Sequence, residues 1–272
     1  MSAPATPTIV LIHGLWLTPR SWDPWIGHFQ RAGHTVIAPS WPGLEGEVEA
    51  LNADPTPLRR LGITRIVDHY DAIIRSLDAP PIIMGHSFGG AFTQILLDRG
   101  LGAAGVAVDS APVKGILTLP LSTLRTALPV LKDPRNRARA VPLTHEQFHW
   151  RFANHTTLEA SRALYERYCI PAAGRVLFEQ AFANMNPKAA SKVDFANGTR
   201  APLLLIAGGI DRVSPPKLNK VNAAKYEKSA AVTDYREFPG RSHWTVGQDG
   251  WEEVADFALS WALEEAASRA KD

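Results

Sequence analysis

Short apolar stretches bounded by turn residues recur along the chain at 8–12, 35–38, 81–84, 105–108, 202–207 and 233–238. Runs of this length predict buried strands. Between them, apolar residues spaced three and four apart predict helices over 21–31, 63–77, 88–99, 216–224 and 251–267. Strand and helix therefore alternate. That alternation predicts an α/β fold with a mostly parallel sheet, helices on both faces, right-handed crossovers, and chemistry at the C-terminal ends of the strands. The rhythm stops between 112 and 200, where short helices separated by Pro120, Pro129, Pro142 and Pro171 are expected and no clear strand is seen. The predicted organisation is a core formed by 1–111 and 201–272, with 112–200 inserted as a helical cap over the active edge of the sheet.

The strand at 81–84 runs into Gly85-His86-Ser87-Phe88-Gly89-Gly90 and then into a helical stretch, so a G-x-S-x-G pattern sits in a strand–turn–helix context. Such a turn holds its serine in a strained backbone conformation, and the two flanking glycines let strand and helix approach closely. A serine hydroxyl is a weak nucleophile until a base takes its proton, and the base needs a third group to hold its tautomer. His243, in Pro239-Gly240-Arg241-Ser242-His243-Trp244, and Asp211, after the strand at 202–207, both fall just past predicted strand ends. Asp109, at the end of 105–108, is the alternative acid, and its blander role is to cap the chain entering the insertion. An idle serine in a glycine-rich turn is the competing reading, and three strand-end placements weigh against it.

The core stretches 6–111 and 201–267 resemble the α/β-hydrolase superfamily, whose order of nucleophile, acid and base is the Ser87, Asp211, His243 order found here. His13-Gly14-Leu15-Trp16 is similar to that family's His-Gly loop, which implies an oxyanion hole made by the N–H groups of Leu15 and Phe88, with His13 and His86 as structural residues. The stretch 9–43 also resembles the small-molecule esterases and hydroxynitrile lyases of the superfamily. The resemblance implies a serine hydrolase that cleaves small to medium apolar carboxylic esters through an acyl-enzyme, with no cofactor and no metal. Lactone opening, carbon–carbon bond hydrolysis, cyanohydrin cleavage, or a low-turnover ligand receptor would use the same residues. Trp16, Trp244, Phe148, Phe152 and Phe182 are the expected substrate contacts, with Phe178 and Met185 beside them.

Other signals narrow the reading. His145-Glu146-Gln147-Phe148-His149 spells H-E-x-x-H with His155 beyond it, yet Phe152 stands where a zinc protease of that kind turns its chain on glycine. A capping box formed by Thr144 and Gln147 explains the same residues as a helix start. Gly100-x-Gly102-x-x-Gly105 follows a helix and precedes a strand, the reverse of a dinucleotide-binding turn. Lys132, Arg135, Arg137 and Arg139 read as a solvated face. With 29 Lys+Arg against 27 Asp+Glu the net charge is +2, too small for a nucleic-acid footprint, and Cys169 is the one cysteine, which excludes a disulfide scaffold. Residues 1–8 lack the basic start and apolar core of an export signal, and no run approaches the ~18 apolar residues of a membrane span. A cytoplasmic protein with a small-molecule substrate and no nucleic-acid partner is therefore expected.

Overall fold

The computed structural model describes residues 7–118 and 120–271. Its strands are β1 (Ile9–Ile12), β2 (Val36–Ile37), β3 (Ile82–His86), β4 (Ala104–Val108), β5 (Ala140–Val141), β6 (Ala172–Ala173), β7 (Leu203–Gly208) and β8 (Thr233–Phe238). Six of them form one sheet in the order β2-β1-β3-β4-β7-β8, and every neighbouring pair is parallel. All six predicted strands and all five predicted helices are present, the latter as Asp23–Arg31, Ile63–Arg75, Phe88–Asp98, Pro216–Ala224 and Trp251–Arg269.

The central strands carry uninterrupted apolar side chains because both faces of the sheet are covered. Their period of two sends alternate residues to opposite layers. Val10, Ile12, Ile83, Leu203 and Leu205 pack on the side that holds Tyr70, Phe92 and Leu218. Ile9, Leu11, Ile82, Met84, Leu204 and Ile206 pack against Trp22, Trp25, Phe29, Val254 and Ala258 on the other. Strand β8 is the exception: its Asp234 and Arg236 are exposed, as befits a strand with one free edge.

Residues 112–200 differ from expectation in two respects. β5 and β6 form a two-residue antiparallel pair that ties the two halves of this segment together. Neither is long enough to leave a pattern in the sequence. The helices Leu121–Leu131, His145–Arg151, Ser161–Tyr168 and Gly174–Ala181 surround it. Pro129 lies inside the first of them, so that proline does not separate two helices. A short helix Val48–Ala53, which the sequence pattern does not predict, also forms, burying Val48 and Leu51. The apolar residues of the segment, among them Val130, Phe148, Phe152, Val176 and Phe178, join the core of one sheet face and make no separate core of their own. Among the described residues no helix is long and apolar enough to cross a membrane.

Candidate active site

The chain reverses between β3 and the helix Phe88–Asp98 at Ser87, which has φ 56° and ψ −118°. A non-glycine residue with positive φ is costly and persists only where its surroundings determine it. Here β4 supplies the clamp. Ser87 N–H donates to the Val108 carbonyl at 2.9 Å, and its own carbonyl accepts from Ala111 N–H at 2.9 Å. The glycines on either side are required by contact: a Cβ on Gly85 would collide with the Gly89 backbone, and one on Gly89 would collide with the Ile12 carbonyl.

His243 Nε2 lies 3.0 Å from Ser87 Oγ, and His243 Nδ1 lies 2.7 Å from Asp211 Oδ2. With the Nδ1 proton donated to the carboxylate, the Nε2 lone pair is left to accept from the serine hydroxyl. Asp211 is held in turn, its Oδ1 accepting from the N–H groups of Val213 at 2.6 Å and Ser214 at 3.0 Å. Burial alone would lower the His243 imidazole, but the charge and hydrogen bond of Asp211, with the charge of Asp109, outweigh it and raise it above its ordinary value. Ser87 is 4% exposed and His243 is fully buried, so the three side chains meet in a nearly dry setting.

The other expected acid is placed differently. Asp109 is fully buried, has φ 48°, and accepts the Gly208 N–H on Oδ1 at 2.6 Å. The histidine's Nδ1 goes to Asp211.

The loop after β1 lies directly against the nucleophile, since a Cβ on Gly14 would come within 2.8 Å of Ser87 Cβ. Leu15 is buried beside it. Phe88 opens its helix, so its N–H has no partner within that helix. His13 donates from Nδ1 to the Gly14 carbonyl at 3.0 Å, accepts the Trp41 N–H on Nε2 at 3.3 Å, and stacks on Trp41. Burial drives its imidazole down to about 4, against the hydrogen bond to Gly14, so the ring is a neutral strut. His86 Nε2 donates to the carbonyl of His243 at 2.8 Å. Its imidazole sits well below the ordinary range because of burial and the neighbouring His243 charge.

Four of the five expected substrate contacts are buried near this centre. The Phe152 ring lies 5.1 Å from that of His243, Phe148 stacks on Phe152 at 5.0 Å, and Trp16 meets Phe152 edge-on at 6.5 Å. Trp244 donates its N–H to the Phe152 carbonyl at 3.1 Å and packs on Tyr168. Phe182 stands apart. It is 53% exposed and lines a surface pocket with Pro134, Arg137 and Phe178.

Sequence reasoning missed what the 112–200 segment does for the base loop. The Ser242 hydroxyl donates to the Phe152 carbonyl at 2.8 Å, and His155 Nδ1 bonds the same hydroxyl at 2.8 Å. A serine next to a candidate base was the only signal that could have pointed there. The H-E-x-x-H histidines go separate ways. His145 bonds Ser161 at 2.9 Å, His155 serves Ser242, and the Thr144–Gln147 capping box forms as expected. In the glycine trio, Gly100 and Gly102 take positive φ in a turn before β4. In the basic run, Asp133 takes Arg135 at 2.9 Å and Arg139 at 3.7 Å.

Several solved structures share the fold. An extracellular alpha/beta-hydrolase from a Paenibacillus species is 21% identical with a TM-score of 0.69, over 93% of this chain and 98% of that one. A Paleococcus ferrophilus monoacylglycerol lipase is 21% identical with a TM-score of 0.68, over 96% of both chains. The methylesterase protein MES16 from Arabidopsis is 13% identical with a TM-score of 0.63, over 94% and 98%. At these identities the likeness carries the fold alone. No curated protein matches the chain in sequence. The sequence pattern of the alpha/beta hydrolase family matches residues 9–257, a span that holds all six strands of the sheet, and the chain therefore belongs to that family.

Proposed function

We propose that this protein is a serine hydrolase of small to medium apolar carboxylic esters. The observation that carries the reading is the unbroken relay from Ser87 through His243 to Asp211, at 3.0 and 2.7 Å, among side chains that are almost fully buried. His243 takes the Ser87 proton as Oγ attacks the ester carbonyl carbon. The carbonyl oxygen becomes negative and is held by the N–H groups of Leu15 and Phe88. His243 then gives its proton to the departing alcohol, and water activated by the same histidine releases the acid from Ser87. Asp211 holds the imidazole in the tautomer that accepts from serine and offsets its charge once protonated. Losing one oxyanion donor would cost about 3 to 4 kcal/mol of transition-state stabilisation. Trp16, Phe88, Phe148, Phe152 and Trp244 supply an apolar lining for the acyl group, and 112–200 acts as the cap that covers it. No cofactor enters this chemistry. Structural neighbours described as a monoacylglycerol lipase and a methylesterase support the ester class.

Ser87→Ala should stay folded and lose at least ~10³ in kcat on p-nitrophenyl butyrate. A serine-directed phosphonate should label Ser87 and nothing else. A folded, active Ser87→Ala protein would overturn the reading.

A further inference from the structure

Two buried carboxyls stand beside one imidazole. Asp211 holds the Nδ1 proton of His243. Asp109 sits at the end of β4, between the strand that ends at the nucleophile and the strand that leads to Asp211. Its neighbour Val108 grips the Ser87 backbone, its own N–H donates to the Ile206 carbonyl at 2.8 Å, and its Oδ1 accepts the Gly208 N–H at 2.6 Å. That same Gly208 carbonyl accepts the Asp211 N–H at 3.1 Å, so the turn bearing the acid hangs on the residue Asp109 holds.

The other carboxyl oxygen, Oδ2, is buried and finds no hydrogen-bond partner among the described residues. One Asp109 oxygen and a ring nitrogen each of His86 and His243 all lie within 4.8 Å of one another. The groups facing it are Asp211 from the β7 turn, His243 and the Thr245 hydroxyl from the base loop, His86 from β3 and Tyr235 from β8. The Thr245 proton already goes to the Ser242 carbonyl at 2.7 Å. A neutral Asp109 could give that hydroxyl a proton, whereas an ionised one would leave a bare oxygen in a dry site.

We propose that Asp109 is a positioning residue of the site: with Oδ1 it fixes the turn that carries Asp211, and with Oδ2 it holds a proton beside His243 whose release sets how readily the imidazole becomes a free base. The inference rests on the Ser87 hydrolase reading and deepens it. Burial first, then the charge of Asp211, push the Asp109 carboxyl up to about 7, against the charge of His243, the nearby Thr245 hydroxyl and the hydrogen bond from Gly208 N–H. As pH rises through that value a second negative charge appears beside His243 and holds a proton on the ring. Without it, the ring frees itself at lower pH.

The test is Asp109→Asn against Asp109→Ala. Asn tolerates the positive φ and keeps an acceptor for Gly208 N–H but cannot titrate. Its rise of kcat/KM with pH should move to lower pH by about one unit. Ala also removes the Gly208 acceptor, and its kcat should fall ~10- to 100-fold below that of the Asn variant, with KM nearly unchanged. A rise that stays in place or moves upward in Asp109→Asn, or equal kcat in the two variants, would overturn the proposal. If neither variant folds, infrared difference spectra of the wild type and of Asp211→Asn decide it: a protonated-carboxyl band that bleaches near pH 7 in the wild type, and at lower pH once the Asp211 charge is gone, is required, and its absence overturns the proposal. The hydrolase reading fails separately, on Ser87→Ala and phosphonate labelling.

Discussion

His243 can offer a lone pair to Ser87 only while an acceptor holds its other nitrogen's proton, and Asp211 Oδ2 at 2.7 Å is that acceptor. Asn in its place can present an amide donor and reverse the tautomer. Asp211→Asn should therefore lower kcat by up to ~10⁴, far more than Asp109→Asn, in the same ester assay. The opposite order would move the acid to Asp109. Buried His13 gives a second prediction. Its folded value of about 4 lies below the ordinary 6.5, so the unfolded chain takes up a proton first and stability falls as pH drops between those values. Asp109 acts in the opposite sense: the folded chain keeps its proton up to about 7 while the unfolded chain loses it near 3.8, so its contribution is lost as pH rises across that window. His13→Gln should flatten the acid-side decline in melting temperature, and a decline as steep as the wild type's would refute the assignment.

At the scale of elements, the turn at Ser87 is a packing problem solved by glycine. Gly89 lets the helix Phe88–Asp98 lie on the end of β1, where a Cβ would meet the Ile12 carbonyl; Gly100 has positive φ, but a methyl added there would have nothing within 4 Å. Gly100→Ala should thus cost only backbone strain, about 1 to 2 kcal/mol. Gly89→Ala must shift strand against helix, and should cost more than that and also remove activity, because the same displacement moves Ser87. Urea unfolding of both variants checks the order. A milder effect at Gly89 would mean that the helix and β1 are not locked together as described.

Over the whole molecule, the segment 112–200 is continuous with the core on the sheet face that carries the loop after β1, and its Phe152 touches His243 by ring and Ser242 by carbonyl. On the proposal that it caps an apolar acyl pocket, each buried methylene contributes about 0.8 kcal/mol, so kcat/KM should rise roughly three- to fourfold per carbon. Closure by Phe148, Phe152 and Trp16 should end that rise early. p-Nitrophenyl butyrate or hexanoate should outperform acetate, and palmitate should be poor. A flat profile, or a preference for charged acyl groups, would refute the apolar pocket and turn attention to Arg135, Arg137 and Arg139.

The inner strands β1, β3, β4 and β7 were legible because a strand covered on both faces must be apolar at nearly every position, and the Ser87 turn was legible because only glycine fits at 85 and 89. Local rules of this kind need no knowledge of distant neighbours. The pair β5 and β6 was not legible, since two residues each carry no period. The resemblance favoured Asp211 over Asp109 as the partner of His243, but the local pattern could not choose between them: both follow apolar runs, and 102 positions separate the two. The tertiary structure decided it by laying β4 beside β7, which turns Asp109 toward Gly208 and leaves Asp211, in the turn just past the end of β7, free to reach the imidazole. The same holds for Phe152, Ser242 and His155, whose hydrogen bonds cross some 90 positions of sequence and exist only because the inserted helices fold back onto the base loop.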